Sequence, residues 1–460
     1  MVHGGTNPVS GASVGSDTPM NQAISDAPAV PAVKMAQATR IPKLLQGLAF
    51  ATSRRRMMDW LSRRNGDVFA LNVPIYGHMV VVNDPQLAKQ VFTASPEDLG
   101  NIQPNLSRMF GSGSVFGLDG DDHRRRRRLL APPFHGKSMK NYEIIIEQET
   151  LRETANWPEG QLFPTLPSMM RITLNAILRA VFGADGAELD ELRRIIPPWT
   201  TLGSRLASMP KPKRRYGRFS PWGRLAEYRR QYDVIIDRLI DQERSDPNFS
   251  DRTDVLALML RSTYDDGSRM SRKDIGDELL ALLAAGHETT ASTLSWAFER
   301  VTRHPELLAA LVAEAEDAGG ELRQATILEV QRARTVIDFA ARHVYAPQYQ
   351  LGQWMIPRGQ SILVNIAQMH ANPDIFPDPQ RFDPQRFIGG RPSTFGWIPF
   401  GGGTRRCVGA AFANMEMDVV LRTVLRNFTI EPTTAAGERL FCRGVAYTPK
   451  NGGRIVVHRR

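Results

Sequence analysis

Phe400-Gly401-Gly402-Gly403-Thr404-Arg405-Arg406-Cys407-Val408-Gly409 sets a single cysteine among glycines, with two arginines before it and a helix-forming run after it. Neighbouring cations and a helix N-terminus both lower the pKa of a thiol, so this sulfur is placed to ionise. Glycines let the backbone approach a flat object closely and leave amide N–H groups free to point at the sulfur. A structural cysteine at a loop-to-helix junction is the plain alternative, and the constraint on so many neighbours argues against it. The conditions suit a sulfur that holds haem iron as its proximal ligand.

Working outward, the 460-residue chain carries only one other cysteine, Cys442. Two cysteines make no disulfide framework and fit a reducing compartment, so the expected location is the cytoplasm. The longest apolar run, Leu279 to Ala285, falls far short of the ~18 residues that a membrane span requires. No basic flank and apolar core mark a secretory signal at the N-terminus. Residues 1–38, rich in Ala, Gly, Ser, Pro and Thr, read as a disordered tail, and 39–460 as one domain.

The net charge is +10, concentrated in Arg54-Arg55-Arg56, Arg124 to Arg128, Lys211 to Arg215 and Arg405-Arg406. Such a surface attracts anionic partners. Nothing resembles a nucleic-acid fold signature, so an acidic electron-donor protein is the expected partner and nucleic acid is not. The clusters at 54 and 211 also read as solvated surface.

Two alternating runs, Val68 to Val73 and His78 to Asn83, flank a Gly-containing turn and predict a hairpin. Apolar spacing of three and four predicts helices over Leu151 to Ala155, Arg171 to Phe182, Ala226 to Arg244 and Arg252 to Leu260. Ser271-Arg272-Lys273-Asp274 starts a long helix that runs past Trp296, and His304-Pro305-Glu306 opens another. Strands return near Gly359 to Ile366. The fold class is mainly α with a small β part.

Haem carries two propionates, and half-buried carboxylates need cations. His123 and Arg127, four apart, project from one face of a helix. In Ala284-Ala285-Gly286-His287-Glu288-Thr289-Thr290, a glycine in mid-helix costs about 1 kcal/mol and so needs a reason. A hydroxyl and a carboxylate there loosen the helix and organise water. Glu329 and Arg332, three apart, can form a salt bridge on one helical face.

The pattern Phe-x-x-Gly-x-Arg-x-Cys-x-Gly resembles the cysteine signature of the cytochromes P450. The His-x-x-x-Arg, Ala-Gly-x-(Asp/Glu)-Thr and Glu-x-x-Arg segments resemble that family's other motifs, in its order, and the likeness covers nearly the whole chain after the tail. The resemblance implies the cytochrome P450 fold, one large helical domain with a β-rich lobe, in a soluble bacterial enzyme of actinobacterial type. It implies haem b (iron protoporphyrin IX) with Cys407 as axial ligand and Phe400, Gly403 and Gly409 shaping the haem loop. His123, Arg127, Arg342 and Arg405 would bind the propionates. Thr289 would hydrogen-bond dioxygen and Glu288 would relay protons from solvent. Arg386 would join Glu329 and Arg332 in a structural triad. One departure is visible: the family has prolines after Glu-x-x-Arg, whereas Ala333 to Asp338 contains none.

The implied reaction is monooxygenation of an apolar small molecule, lipid-, steroid- or terpenoid-like, using O2 and electrons from a separate ferredoxin and its reductase docking near Arg405 and Arg406. Met109, Phe110, Trp199, Leu202, Leu206 and Met209 are candidate pocket residues. A haem carrier or sensor without turnover, and a peroxide-driven oxygenase, are the alternatives.

Overall fold

A computed structural model describes residues 34–460 apart from 75, 103–108, 135–137, 184–185, 208–216, 218, 318 and 391–392. Its described helices are α1 (Lys43–Asn65), α2 (Pro85–Thr93), α3 (Gly120–Leu130), α4 (Ser138–Thr154), α5 (Leu166–Phe182), α6 (Ala187–Ala207) and α7 (Pro221–Ser245). They continue with α8 (Val255–Arg261), α9 (Arg272–Val301), α10 (Pro305–Glu316), α11 (Glu321–Ala333), α12 (Ile366–His370) and α13 (Ala410–Asn427). The early strands are β1 (Val68–Val73), β2 (Gly77–Val82), β3 (Leu99–Gly100) and β4 (Phe163–Pro164). Then come β5 (Ala340–Val344), β6 (Gln348–Leu351), β7 (Trp354–Pro357) and β8 (Ser361–Val364). The C-terminal strands are β9 (Phe428–Ile430), β10 (Leu440–Cys442), β11 (Tyr447–Pro449), β12 (Arg454–Ile455) and β13 (Val457–Arg459).

Helix α9 is the spine. Ser271 caps it, its hydroxyl accepting from the Asp274 amide at 3.1 Å. From Ile275 to Val301 every residue is buried except Leu282, Ala285, Gly286 and Thr289. Helix α5 packs along it, and α13 packs against α4, α11 and α9. A methyl at Gly286 would stand 3.3 Å from Ile177 of α5, so this glycine serves the α5–α9 contact. That contact is the reason a mid-helix glycine stands there.

The main sheet has the order β1-β2-β8-β5-β3, with β2 and β8 parallel and the other pairs antiparallel. The predicted hairpin is β1–β2, in register Phe69 with Val81 and Leu71 with Met79. Those four residues face Phe50, Met57 and Leu61 of α1, while Val80, Val82 and Ile362 face Val91 and Phe92 of α2. Side chains alternate across a strand, so this one sheet supports two cores. It holds α2 beside the cysteine loop.

Several expectations change. Residues 34–38, read as the end of the tail, are hydrogen-bonded to strands: Lys34 N to Gln353 O at 2.8 Å and Ala70 N to Gln37 O at 2.9 Å. Residues 1–33, the cluster at 211–215 and Met209 lie outside the described residues. Helix α6 runs through Pro197-Pro198, because Leu189, Leu192, Ile195, Ile196 and Trp199 are all buried and outweigh the lost hydrogen bonds. Trp199 packs on Tyr232 with ring centroids 5.4 Å apart and is core, not pocket wall.

The arginine clusters are not loose surface. Arg54, 6% exposed, donates to both oxygens of Asp338 at 2.9 Å. Arg55 donates to Thr335 O. Arg126 is buried among Tyr264, Gly113 O and Glu278, while Arg124, Arg125 and Arg128 pair with Asp121, Asp266 and Asp265.

The Arg54–Asp338 pair also steadies the segment where the family has prolines. There Thr335 Oγ1 lies 2.9 Å from His370 Nδ1, and Ala367 N donates to Asp338 O. Because removing one partner strands a buried charge, Asp338→Asn should cost about 3–5 kcal/mol in denaturant unfolding. Asp59→Asn, at the exposed Arg63 pair, should cost under about 1 kcal/mol. Equal losses would contradict this account.

Candidate active site

The cysteine loop is built by turns that only glycine tolerates. Gly401 and Gly403 have φ of 67° and 66°. A side chain at Gly403 would collide with the Phe92 carbonyl, and one at Gly402 with the Phe92 ring. Cys407 N donates to Phe400 O at 3.0 Å and Arg406 N to Gly403 O at 3.1 Å, closing the loop. The Arg406 guanidinium lies 6.0 Å from the Phe400 ring. Helix α13 begins three residues after the cysteine, with Gly409 at its N-cap position.

Cys407 is exposed, its side chain opening onto a hollow of about 280 Å³ between α3 and α13. Arg127, Ala131, Ala410 and Asn414 line that hollow with it. Against the expectation of a sulfur placed to ionise, desolvation by the surrounding fold outweighs the Gly409 amide, Arg127 and Arg406, and the thiol is pushed up on balance. A metal cation at the sulfur would settle the balance for the thiolate.

Around this loop, His123 and Arg127 of α3, Arg342 of β5 and Arg405 feel one another's charge. Arg342 is buried and donates to Gly402 O at 3.0 Å. Burial, with the Arg405 charge, brings its guanidinium down to about 10. Burial and then Arg405 and Arg127 bring His123 down to about 4, so the ring is neutral at pH 7.

One carboxylate stands among these cations. Asp119 caps α3 through the Gly120 amide at 3.0 Å and accepts from Tyr345 Oη at 2.6 Å, Asn101 N at 2.8 Å and Arg405 Nη2 at 2.7 Å. Burial opposes its charge, yet the Tyr345 and Asn101 hydrogen bonds and Arg405 hold it below the usual carboxylate range. Three arginines beside one carboxylate leave unbalanced positive charge, with His123 a neutral hydrogen-bonding group among them. Two propionates fit that imbalance, so the residues present fit haem b.

On α9 the four half-exposed residues Leu282, Ala285, Gly286 and Thr289 follow the spacing i, i+3, i+4, i+7 and form one open stripe. Thr289 Oγ1 donates to Ala285 O at 2.8 Å, leaving its lone pairs toward the open side. Ser292, Thr293 and Ser295 bond backward in the same way. Glu288 is buried off the stripe and pairs with Arg443 at 3.1 Å. His287 turns into the core, its Nδ1 2.9 Å from Leu283 O.

Glu329 and Arg332 are fully buried and joined by two bonds of 2.7 Å, and Arg386 Nε stands 3.4 Å from Glu329 Oε2. The Asp383 amide donates to Glu329 at 2.8 Å, and Arg332 donates to His370 O and Pro379 O, both at 2.9 Å. The motif thus clasps the segment that leads to the cysteine loop.

The structure therefore gathers His123, Arg127, Arg342, Arg405, Phe400, Gly403, Cys407 and Gly409 at one place. It sets Thr289 and Glu288 on α9, and Glu329, Arg332 and Arg386 in the clasp. Arg405 is 14% exposed and tied to Asp119, so it is not a free docking cation as expected, whereas Arg406 is exposed. Asp119, Tyr345 and Arg443 escaped the sequence reading. Only Asp119 had a local signal, as the capping residue before Gly120-Asp121-Asp122.

A family model described as cytochrome P450 matches residues 37–454. The chain belongs to the cytochrome P450 family. This P450 is 76% identical over 441 residues to "Putative cytochrome P450 138" of Mycobacterium tuberculosis and of Mycobacterium bovis, covering 96% of this chain and all of the relative. It is 38% identical to "Putative cytochrome P450 135B1" of Mycobacterium tuberculosis, covering 90% and 88% of the two chains. Among solved structures, the retinoic-acid-bound cyanobacterial CYP120A1 superposes with a TM-score of 0.82 at 22% identity, over 93% of this chain and all of that one. The haem domain of cytochrome P450DA gives 0.80 at 20% identity, over 93% and 98%. The P450 is a haem-binding monooxygenase. No helix among its described residues is long and apolar enough to cross a membrane.

The loop geometry makes Gly403 the tightest position beside the haem site. Gly403→Ala should give protein that retains little haem per chain, whereas Gly390→Ala, with open space around it, should load normally. The haem-to-protein absorbance ratio checks this, and normal loading of Gly403→Ala would contradict the loop argument.

Proposed function

We propose that this P450 hydroxylates an apolar small molecule at haem held by Cys407, with protons delivered through Glu288 and Thr289 and electrons from a separate ferredoxin and its reductase. The observation that carries the reading is the Cys407 sulfur, open to a hollow at the start of α13 with the Gly409 amide and two guanidiniums turned toward it. Haem, when bound, supplies dioxygen activation: one oxygen atom enters a substrate C–H bond and the other leaves as water, using two electrons and two protons.

The chain's own residues supply the rest. Arg127, Arg342 and Arg405 would neutralise the two propionates and His123, a neutral ring, would help to orient them, with Asp119 and Tyr345 fixing Arg405. Thr289, its own proton given to Ala285 O, accepts from water or from the reacting oxygen and keeps a proton near it. Burial raises the Glu288 carboxyl against the pull of Arg443, which suits a group that takes up and passes on a proton. The buried flanks of α9 exclude bulk water, so protons arrive along defined groups.

The half-exposed Leu282 and Ala285 give the stripe an apolar surface, which supports a lipid-, steroid- or terpenoid-like substrate. The cyanobacterial neighbour CYP120A1 is bound to retinoic acid, an apolar isoprenoid acid. Arg406 is the exposed cation beside the cysteine loop and supports docking of an acidic ferredoxin there. Two free thiols, Cys407 and Cys442, support a cytoplasmic location.

Reconstitution with a ferredoxin and its reductase tests the reading, by NADPH consumption and product formation across a lipid and steroid library. Product that requires the ferredoxin supports it, and product with peroxide alone points to the peroxide-driven alternative. Cys407→Ser should lose the thiolate-type absorption of the carbon-monoxide complex, and an unchanged spectrum refutes the ligand assignment. Thr289→Ala should release severalfold more hydrogen peroxide per electron consumed, and unaltered coupling removes Thr289 from the mechanism.

A further inference from the structure

We propose that Arg443 is a positioning residue for proton delivery: from the turn between β10 and β11 it sets which way the Glu288 carboxyl points and ties that orientation to helix α6. The inference rests on the reading of Glu288 as the proton-relaying acid.

One guanidinium touches two helices. Arg443 Nε meets Glu288 Oε1 of α9 at 3.1 Å, and Arg443 Nη2 donates to Thr201 Oγ1 of α6 at 3.3 Å. The turn that carries it is fixed on both sides. Arg443 N donates to Ala446 O at 2.9 Å, closing the turn, and Val445 N donates to Ser204 Oγ of α6 at 3.0 Å. Gly444, at φ 118°, lets the turn press against the Ser204 backbone where any side chain would collide. The turn is fixed on α6, and the Thr201 contact sets its guanidinium where the Glu288 carboxylate can meet it.

The contact uses Oε1. Glu288 Oε2 has no protein hydrogen bond among the described residues, so it is the oxygen left to exchange a proton. Among those residues Arg443 is the one charged group whose field bears on Glu288. On the same helix, His287 is neutral at pH 7, held well below its usual range by burial, and its ring faces Leu283 O. A relay acid works when its pKa lies near the operating pH. Burial raises the Glu288 carboxyl, and the Arg443 cation at one oxygen opposes that while leaving the other oxygen free.

The plain alternative is a clip that only fastens the β10–β11 turn to α6. Full-length, haem-loaded protein distinguishes the two. The probe is the infrared band of the protonated carboxyl, assigned by its loss in Glu288→Gln and followed against pH. Hydrogen exchange of residues 440–449 is measured alongside.

Removing the cation favours the protonated form, so Arg443→Ala should move the carboxyl midpoint up by about one pH unit. Arg443→Lys should recover much of the shift. Thr201→Val should speed exchange in the turn and leave the midpoint nearer to the parent value. Faster exchange in Arg443→Ala with an unmoved midpoint overturns the proposal. Separately, product formed per electron that is unchanged in Glu288→Gln sinks the relay reading and the inference with it, whatever the carboxyl titration shows.

Discussion

A sulfur anion inside a protein is costly, and the surroundings of Cys407 offset that cost only in part. Burial drives the Cys407 thiol toward its neutral form, and three groups work against that: the Gly409 amide, Arg127 and Arg406. Each comes from a different constraint. The amide is available because α13 starts there, Arg127 because α3 is capped by Asp119, and Arg406 because the glycine turn presses on Phe92. Iron, when bound, would supply the last and largest positive charge. The same arrangement leaves an excess of cations beside the sulfur, which two propionates would fill.

The supports of that loop are ionic and buried rather than apolar. Glu329, Arg332 and Arg386 hold the segment that leads to it, and Arg54 with Asp338 holds the segment that leads into Arg342. Ion pairs of this kind add little net stability and fix geometry sharply, because a partner out of place leaves a stranded charge. Such fixing suits a site whose cofactor must be held at a set distance from α9. Where relatives of the family have prolines to stiffen the path after α11, this chain has Thr335 against His370 and Arg54 against Asp338.

What could be read from the sequence was what is local. The cysteine loop, the His123–Arg127 face, the Glu329–Arg332 pair and the start of α9 all depend on residues within a few positions of one another. The pairs that escaped join distant segments: Arg54 with Asp338, Arg126 with Glu278, and Arg443 with Glu288. An arginine run looks the same whether its members meet water or a carboxylate 150 residues away. Helix α6 was not legible for a related reason, since the burial that outweighs its prolines is supplied by α7. Gly286 is the subtler case: its spacing marked the right stretch of α9, but the neighbour that requires it is Ile177, and the open stripe follows from four residues together.

The central claim is sulfur ligation of the iron. X-ray absorption at the iron edge of the purified, haem-loaded protein tests it without substrate, partner or turnover. The account predicts four porphyrin nitrogens and one sulfur in the first coordination shell. A shell of nitrogen and oxygen alone, with no sulfur contribution, contradicts it.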